Sequence, residues 1–267
     1  MDRLNEHHDD QQRRVIEGWL SSTDFAAQQS DFIGRRQEGT GQWLLDSQEF
    51  GTWLKGTKQT LFCPGIPGAG KTIVASIVID HLWSKFQAEG DVRIAFLYCN
   101  YKRQQEQKFQ HLMTSLLAQL VKGRSNLPET IISMHQRHAD RGTRPSVEEI
   151  IIAFHSVAST YSRIFFVVDA LDECSNTDNT RKRLLEELFK LQSHMTAALF
   201  ATSRYIPEIT VLFQGELSME IRASEEDVQR YLSSHITELP SCVLRNQALQ
   251  DEIQAAITKA VDGMYVI

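Results

Sequence analysis

The sequence predicts an α/β fold in which a parallel sheet is covered by helices on both faces. Short apolar runs alternate with segments of helical periodicity, which is the pattern of a doubly wound sheet. One run, Ile164–Val168, is apolar throughout, as expected for a central strand that is buried on both faces. The length agrees with this class, since 267 residues suffice for one large α/β domain with appended pieces.

Five predicted strands are separated by predicted helices. The strands are Thr60–Pro64, Arg93–Cys99, Ile164–Val168, Ala197–Thr202 and a weaker one near Leu217–Ile221. The helices are Lys71–Phe86, Glu106–Val121, Val147–Ser159 and Arg181–Ser193. Ser146 and Glu149 form a capping box that opens the third of these helices. The aromatic stripe at 43–54 also has helical spacing, and core packing explains it better than a ligand site.

Three parts are expected along the chain. Residues 1–30 are polar with one small apolar face, which predicts an arm or linker that docks on another surface. Residues 31–223 contain the predicted sheet. Residues 224–267 have a helical pattern alone, beginning with Ser224 and Asp227 as a cap, and predict a C-terminal helical lid.

Composition argues against several classes of protein. The formal net charge is −6, which disfavours sequence-independent binding of nucleic acid by the whole chain. The basic stretch 101–144 is interpreted as a solvated helix face, so nucleic acid is not an expected partner. The first residues contain no signal-peptide core, and no apolar run is long enough to span a membrane. Four separated cysteines fit reduced thiols in a cytoplasmic protein.

The segment Gly65–Thr72 matches G-x-x-x-x-G-K-[ST], the Walker A pattern of phosphate-binding loops. Its glycines let the backbone direct N–H groups at phosphate oxygens, and the helix that opens at Lys71 adds the positive end of its dipole. Lys71 is expected to reach the β- and γ-phosphates, and the Thr72 hydroxyl to bind Mg²⁺. The expected phosphate-binding residues are Gly65, Ile66, Pro67, Gly68, Ala69, Gly70, Lys71 and Thr72.

Acidic and basic residues follow two other predicted strands. Asp169 ends an apolar strand, at the edge of a parallel sheet where ligands bind, and is expected to hold Mg²⁺ as the Walker B residue. Asp172 and Glu173 are the candidates for orienting or activating the attacking water. Arg204 is a candidate contact for the γ-phosphate. A solvated turn and an ordinary surface arginine are the alternatives for these residues.

Together, GIPGAGKT, FFVVDALDEC and ATSR resemble the NACHT class of STAND signal-transduction ATPases. The nephrocystin-like NACHT modules of fungal multidomain proteins are the most similar subgroup. A small residue after the Mg²⁺ aspartate and an acid two positions later, here Ala170 and Asp172, are typical of the family. The segments DFIGRRQEGTGQWLL and FLYCNYKR extend the resemblance to roughly residues 15–267.

The resemblance implies more than the spacing of the motifs. It implies a five-stranded P-loop NTPase sheet of order 5-1-4-3-2, with Arg204 beside the γ-phosphate of a bound ATP. It also implies that Ile33, Gly34 and Arg35 lie along the adenine. Relatives continue into a winged helix where this sequence ends, and Tyr205 stands where many of them have proline.

These features predict a module that binds ATP or ADP with Mg²⁺ and hydrolyses ATP slowly as a signalling and oligomerisation switch. A scaffold that binds nucleotide without hydrolysis is the alternative, and a small-molecule kinase is a third, less favoured one. The Asn-Lys-x-Asp guanine signature is absent, which favours adenine. The apolar residues Met264–Ile267 predict an open site, fast ADP exchange and self-association, because they have no following segment to pack on.

Overall fold

A five-stranded parallel sheet forms the centre of the protein. The structure, a computed structural model, describes residues 2–20, 23, 25–124, 126–236 and 239–261. The strands are β1 (Thr60–Pro64), β2 (Val92–Tyr98), β3 (Arg163–Asp169), β4 (Ala197–Ser203) and β5 (Leu217–Ser218). Their order is β2-β3-β4-β1-β5 with parallel pairing throughout, which confirms the predicted order 5-1-4-3-2.

Helices precede the sheet, connect its strands and follow it. The helices before and within the sheet are α1 (Asp2–Leu20), α2 (Phe25–Gly34), α3 (Gln42–Leu45), α4 (Gln48–Lys55), α5 (Lys71–Phe86), α6 (Phe109–Val121), α7 (Glu129–Ala139), α8 (Val147–Ala158), α9 (Thr180–His194) and α10 (Pro207–Thr210). The C-terminal helices are α11 (Glu225–His235), α12 (Ser241–Leu244) and α13 (Gln247–Val261). None of the helices in the described ranges is long and apolar enough to cross a membrane.

Adjacent residues of β3 show that helices cover both faces of the sheet. Phe165 packs against Trp53 of α4 and Phe86 of α5, with ring centroids 5.4 and 5.1 Å away. Phe166, the next residue, packs against Phe154 of α8 at 5.9 Å. Successive side chains of a strand point to opposite faces, so the two helix layers sandwich β3. The continuous apolar run at 164–168 is therefore buried on both sides, as predicted.

The N-terminal segment consists of helices that pack on the core. Ile16 of α1 and Phe25 of α2 are buried. Gln29, also buried, donates to the carbonyl of Ser76 on α5 at 2.9 Å and is hydrogen-bonded to the Tyr98 hydroxyl. The apolar face predicted for this segment thus packs on the helices and sheet of its own chain. The second helix runs to Gly34, through the predicted end of the arm at residue 30.

The structure differs from the sequence predictions at α7 and β5, and one prediction falls outside the described residues. α7 was not predicted, since its segment is rich in polar and basic residues. β5 is shorter than predicted, although Met219 N and Ile221 N continue backbone hydrogen bonds to β1 at 3.0 and 2.7 Å. Residues 262–267, on which the expected self-association depends, lie outside the described residues.

Candidate nucleotide-binding site

The loop between β1 and α5 is shaped by its glycines. Gly68 and Gly70 have φ of +76° and +82°, a left-handed conformation that costs most other residues about 1–2 kcal/mol. Gly65 N donates to the carbonyl of Ser203 at 3.0 Å, which holds the loop against the end of β4. A Cβ at Gly65 would lie 2.5 Å from the carbonyl oxygen of Ile221, so this position has room only for glycine.

The N-terminus of α5 opens at this loop without a side-chain cap. Its N-cap residue, Gly70, offers no side chain to accept from the first-turn amides. Gly70, Lys71, Thr72 and Ile73 all line a cavity of about 470 Å³. The first N–H groups of a helix have no intrahelical partner, and the helix dipole favours negative charge there. This end of α5 is therefore suited to an anion.

The Lys71 side chain folds back over the loop. Its Nζ donates to the carbonyls of Gly65 at 3.0 Å and Ile66 at 2.7 Å. Burial lowers the pKa of Lys71 below its ordinary value, and the carboxylates of Asp172 and Asp169 oppose that shift. The ammonium is thus held beside the cavity by weak neutral acceptors, which a phosphate group could replace with a charge-assisted contact.

Asp169 lies at the end of β3, where it contacts Thr72 at the start of α5 and Thr202 of β4. Its Oδ2 accepts from the Thr72 hydroxyl at 2.7 Å, and its Oδ1 accepts from the Thr202 hydroxyl at 2.6 Å. Burial raises the pKa of Asp169 to about 6, although both hydrogen bonds act to lower it. A cation beside this carboxylate would compensate for its burial. The two predicted metal ligands, Thr72 and Asp169, therefore lie together.

These groups fit a Mg²⁺ ion that is bound together with phosphate. Among the described residues there is no cluster of three or more His, Cys, Asp or Glu side chains that could enclose a metal. Mg²⁺ in nucleotide sites needs no such cage, because phosphate oxygens and water supply most of its ligands.

The backbone conformation of Ala170 explains why a small residue follows Asp169. Its φ is +55°, in the left-handed region, and the residue lines the cavity. Its amide donates to the Thr202 hydroxyl at 2.9 Å, and the following amide of Leu171 donates to the Thr202 carbonyl at 2.9 Å. A β-branched residue would be strained in this conformation.

The predicted catalytic residues also lie at the cavity, but they are occupied by partners from the protein itself. Asp172 forms an ion pair with Arg204, in which Nε donates to Oδ2 at 2.5 Å. The backbone N of Arg204 donates to Oδ1 of the same carboxylate at 2.9 Å. Glu173 accepts from the backbone N of Tyr101 at 3.2 Å.

The cavity gathers most of the predicted site residues. Those that line it are Arg35, Pro67, Gly68, Gly70, Lys71, Thr72, Asp172, Glu173 and Arg204. Gly65, Ile66, Ala69, Asp169, Ile33 and Gly34 are not among its lining residues. The carbonyls of Gly65 and Ile66 nevertheless hold Lys71, and the buried Asp169 contacts the lining through Thr72. A larger cavity of about 780 Å³ is lined by residues of α1, α5, β2 and α6, and by none of the predicted site residues.

Sequence reasoning missed several residues at this site. Thr202 was quoted only as part of ATSR, yet its hydroxyl joins Asp169 to the amide of Ala170. Tyr101 and Tyr231 line the cavity from the segment after β2 and from α11. The position of Thr202 near the carboxyl end of a predicted strand could have indicated that it lies at the ligand edge of the sheet. The approach of Tyr231 depends on tertiary packing, which no local pattern encodes.

The middle of the chain matches a known protein family. Residues 39–204 match the family described as nephrocystin 3, N-terminal. The chain belongs to this family. The matched segment runs from before β1 to the end of the ATSR motif, so it includes every strand of the sheet except β5. None of the curated proteins compared with the chain is detectably similar in sequence.

Solved structures with a similar fold include a Walker-type ATPase. A Walker-type ATPase of Pyrococcus abyssi is 13% identical with a TM-score of 0.53, over 87% of this chain and 68% of that one. Cdc6p of Pyrobaculum aerophilum is 13% identical with a TM-score of 0.48, over 83% and 53%. The Orc1 protein of Aeropyrum pernix, solved in complex with DNA, is 15% identical with a TM-score of 0.47, over 87% and 60%.

The fold of this nephrocystin 3-type domain is thus the P-loop NTPase fold, as the order of its parallel strands already indicates. The chain spans 65% and 60% of the length of two further similar structures, a DNA replication initiation factor and the replication initiator DnaA.

Proposed function

We propose that the domain binds Mg²⁺·ATP and hydrolyses it slowly, as a nucleotide-dependent signalling and oligomerisation switch of the NACHT and STAND type. The observation that carries this proposal is the contact of 2.7 Å between the Thr72 hydroxyl and Asp169, at the uncapped N-terminus of α5. That arrangement combines an anion-binding helix end with an acidic group for a cation.

Each residue at the cavity would have a separate task. The backbone N–H groups of residues 68–72 would bind the phosphates, and Lys71 would exchange its carbonyl acceptors for phosphate oxygens. Thr72 and Asp169 would hold Mg²⁺, which when bound neutralises charge on the β- and γ-phosphates. Asp172 or Glu173 would orient water, and Arg204 would contact the γ-phosphate.

We propose adenine as the base, on the side of the cavity formed by segment 35–41. Arg35 lines the cavity there, next to Gln37, Thr40 and Gly41. Ile33 and Gly34, which the resemblance assigns to the adenine, precede this segment at the end of α2. Their role would be to position Arg35, whose guanidinium is paired with Asp31 at 2.6 Å.

The ion pair between Asp172 and Arg204 favours a second candidate, a scaffold that binds nucleotide without hydrolysis. A carboxylate with both oxygens bonded to Arg204 is not free to orient water. In the scaffold, this pair would persist when nucleotide is bound. In the switch, the γ-phosphate would compete for the guanidinium and release Asp172.

A turnover assay separates the two candidates. The purified domain is incubated with ATP and Mg²⁺, and phosphate release is compared with that of Lys71→Ala and of the exposed control Lys55→Ala. Slow release that Lys71→Ala abolishes and Lys55→Ala leaves intact supports the ATPase. Tight ATP binding without any release supports the scaffold. Absence of binding contradicts both.

The remaining expectations concern partners and location. Self-association and contacts with other protein domains are proposed on the resemblance to NACHT modules. The net charge of −6 is our reason for not proposing a nucleic-acid partner. Two of the similar solved structures, DnaA and Orc1, contain DNA, so the structural comparison does not argue against a nucleic-acid partner. The cytoplasmic location stays a prediction from the sequence.

A further inference from the structure

The predicted lid contacts the segment before β1 through a buried carboxylate. α11 is capped by Ser224, whose hydroxyl accepts from Asp227 N at 3.1 Å. The Asp227 side chain does not extend into solvent, since the residue is only 3% exposed. Burial of an ionised carboxylate is costly without strong hydrogen bonds, so its partners define what this residue does.

Two of those partners belong to the segment that precedes β1. Oδ2 of Asp227 accepts from the backbone N of Gly41 at 2.8 Å and from Nε1 of Trp43 at 3.1 Å. Gly41 has φ of +73°, and a Cβ there would lie 2.5 Å from Cδ1 of Ile77 on α5. The carboxylate therefore fixes a piece of backbone that already lies tightly against the helix of the phosphate loop.

Further contacts extend along the same face of α11. Residues 227, 230, 231 and 234 are spaced i, i+3, i+4 and i+7, which places them on one side of a helix. Arg230 donates to the carbonyl of Gly39, and the Ser234 hydroxyl donates to Oε1 of Gln37 at 2.8 Å. These outer contacts are exposed to solvent, where water competes for the same groups.

Tyr231 connects this interface to the ligand site. It lies one turn after Asp227 and lines the cavity of about 470 Å³, as do Gly41 and Lys71. Its ring stacks on His235 with centroids 4.1 Å apart, which restricts its orientation. One wall of the cavity is therefore built jointly by α11 and segment 37–43, and Asp227 makes a buried contact between them.

We infer that Asp227 is a positioning residue that controls nucleotide release: it clamps α11 to segment 37–43 and so keeps the wall formed by Tyr231 and Gly41 closed. The inference rests on the proposed function, which supplies the nucleotide. Opening of the wall would break two hydrogen bonds to one carboxylate, and such charge-assisted bonds are the strong ones. The fast ADP exchange expected from the sequence would then apply only when this clamp is broken.

The test uses the full chain, and Asp227→Asn is the main variant because it preserves the shape of the side chain and removes its charge. Glu225→Gln is the matched control, since it removes one charge from an exposed position in the same first turn of α11. Trp43→Phe removes one donor from the opposite side of the contact. Stopped-flow release of a fluorescent ADP analogue is measured for each variant, together with amide hydrogen exchange of segment 37–43 in nucleotide-free protein.

The inference predicts that Asp227→Asn accelerates ADP release by about 10-fold or more and speeds amide exchange at Gly41, whereas Glu225→Gln does neither. In a double-mutant cycle, Asp227→Asn and Trp43→Phe should be less than additive, because both remove the same contact. Unchanged release in Asp227→Asn, or equal acceleration in Glu225→Gln, would overturn the inference. Failure of the unmutated domain to bind nucleotide, with the exchange difference intact, would instead reject the proposed function.

Discussion

Asp172 and Arg204 hold each other across the ends of β3 and β4 by two hydrogen bonds to one carboxylate, at 2.5 and 2.9 Å. The Asp172 side chain is 2% exposed and that of Arg204 is 49% exposed, so the arginine is the partner that can move into the cavity. Its hydrogen bond and ion pair with Asp172 raise the pKa of Arg204. The carboxylate proposed to orient water and the arginine proposed to contact the γ-phosphate are thus bonded to each other in this structure.

The first prediction concerns this ion pair. Asp172→Asn and Arg204→Ala should each slow ATP turnover by about 100-fold, because each removes a group that acts in the transition state. The double variant should be no slower than the slower single variant, since the two residues act as a unit. Single-turnover kinetics measure the effect, with the exposed Lys182→Ala as a control. Independent, multiplicative losses would show that the two residues do not work together.

A second prediction concerns the residue that positions Asp169. Thr202→Val keeps the shape of the side chain but removes the hydroxyl that bonds Asp169 and Ala170. Urea denaturation should show a loss of about 1–3 kcal/mol in the free energy of unfolding, because buried polar groups lose a partner. Nucleotide binding should also need more Mg²⁺ for half-saturation.

The matched control for that variant is Thr210→Val, whose hydroxyl donates to the Ile206 carbonyl at the exposed surface. It should leave both the stability and the Mg²⁺ requirement within the error of the measurement. A Thr202→Val protein as stable as the unmutated one, with the same Mg²⁺ requirement, would contradict the positioning role of Thr202.

A third prediction concerns the backbone at Ala170. Because its φ is +55°, Ala170→Gly should be neutral or slightly stabilising, whereas Ala170→Val should lower the free energy of unfolding by about 2 kcal/mol or more. The valine should also weaken ATP binding, since the residue lines the cavity. Thermal denaturation of the two variants checks the order. Equal stability of the glycine and valine variants would exclude strain at this position.

Local sequence patterns predicted the secondary structure around the candidate site well, whereas the binding of phosphate there stays a prediction. The Walker A loop, the apolar strand that ends at Asp169 and the strand order all agree with the structure. These features are local or follow from the family resemblance. A glycine pattern, a continuous apolar run and a cap each report on a few neighbouring residues, and such residues adopt the same conformation in most contexts.

The contacts between distant segments could not be predicted in this way. Asp227 appeared in the sequence only as part of a helix cap, yet its carboxylate bonds Gly41, 186 residues earlier. The pairing of Asp172 with Arg204 likewise depends on β3 and β4 being neighbours. The docking of α1 and α2 depends on apolar residues too few to distinguish a packed helix from an arm. In each case tertiary packing decides the partner.

The central claim is that the loop at residues 65–72 binds the phosphates of ATP, and calorimetric titration of the domain with Mg²⁺·ATP tests it most directly. Lys71→Ala removes an ammonium whose present acceptors are two loop carbonyls. We expect the binding free energy to weaken by about 1.5–3 kcal/mol, or about 10- to 150-fold in affinity, while Lys55→Ala binds as the unmutated domain does. Equal ATP affinity in Lys71→Ala and the unmutated domain would contradict the assignment of this loop as the nucleotide site.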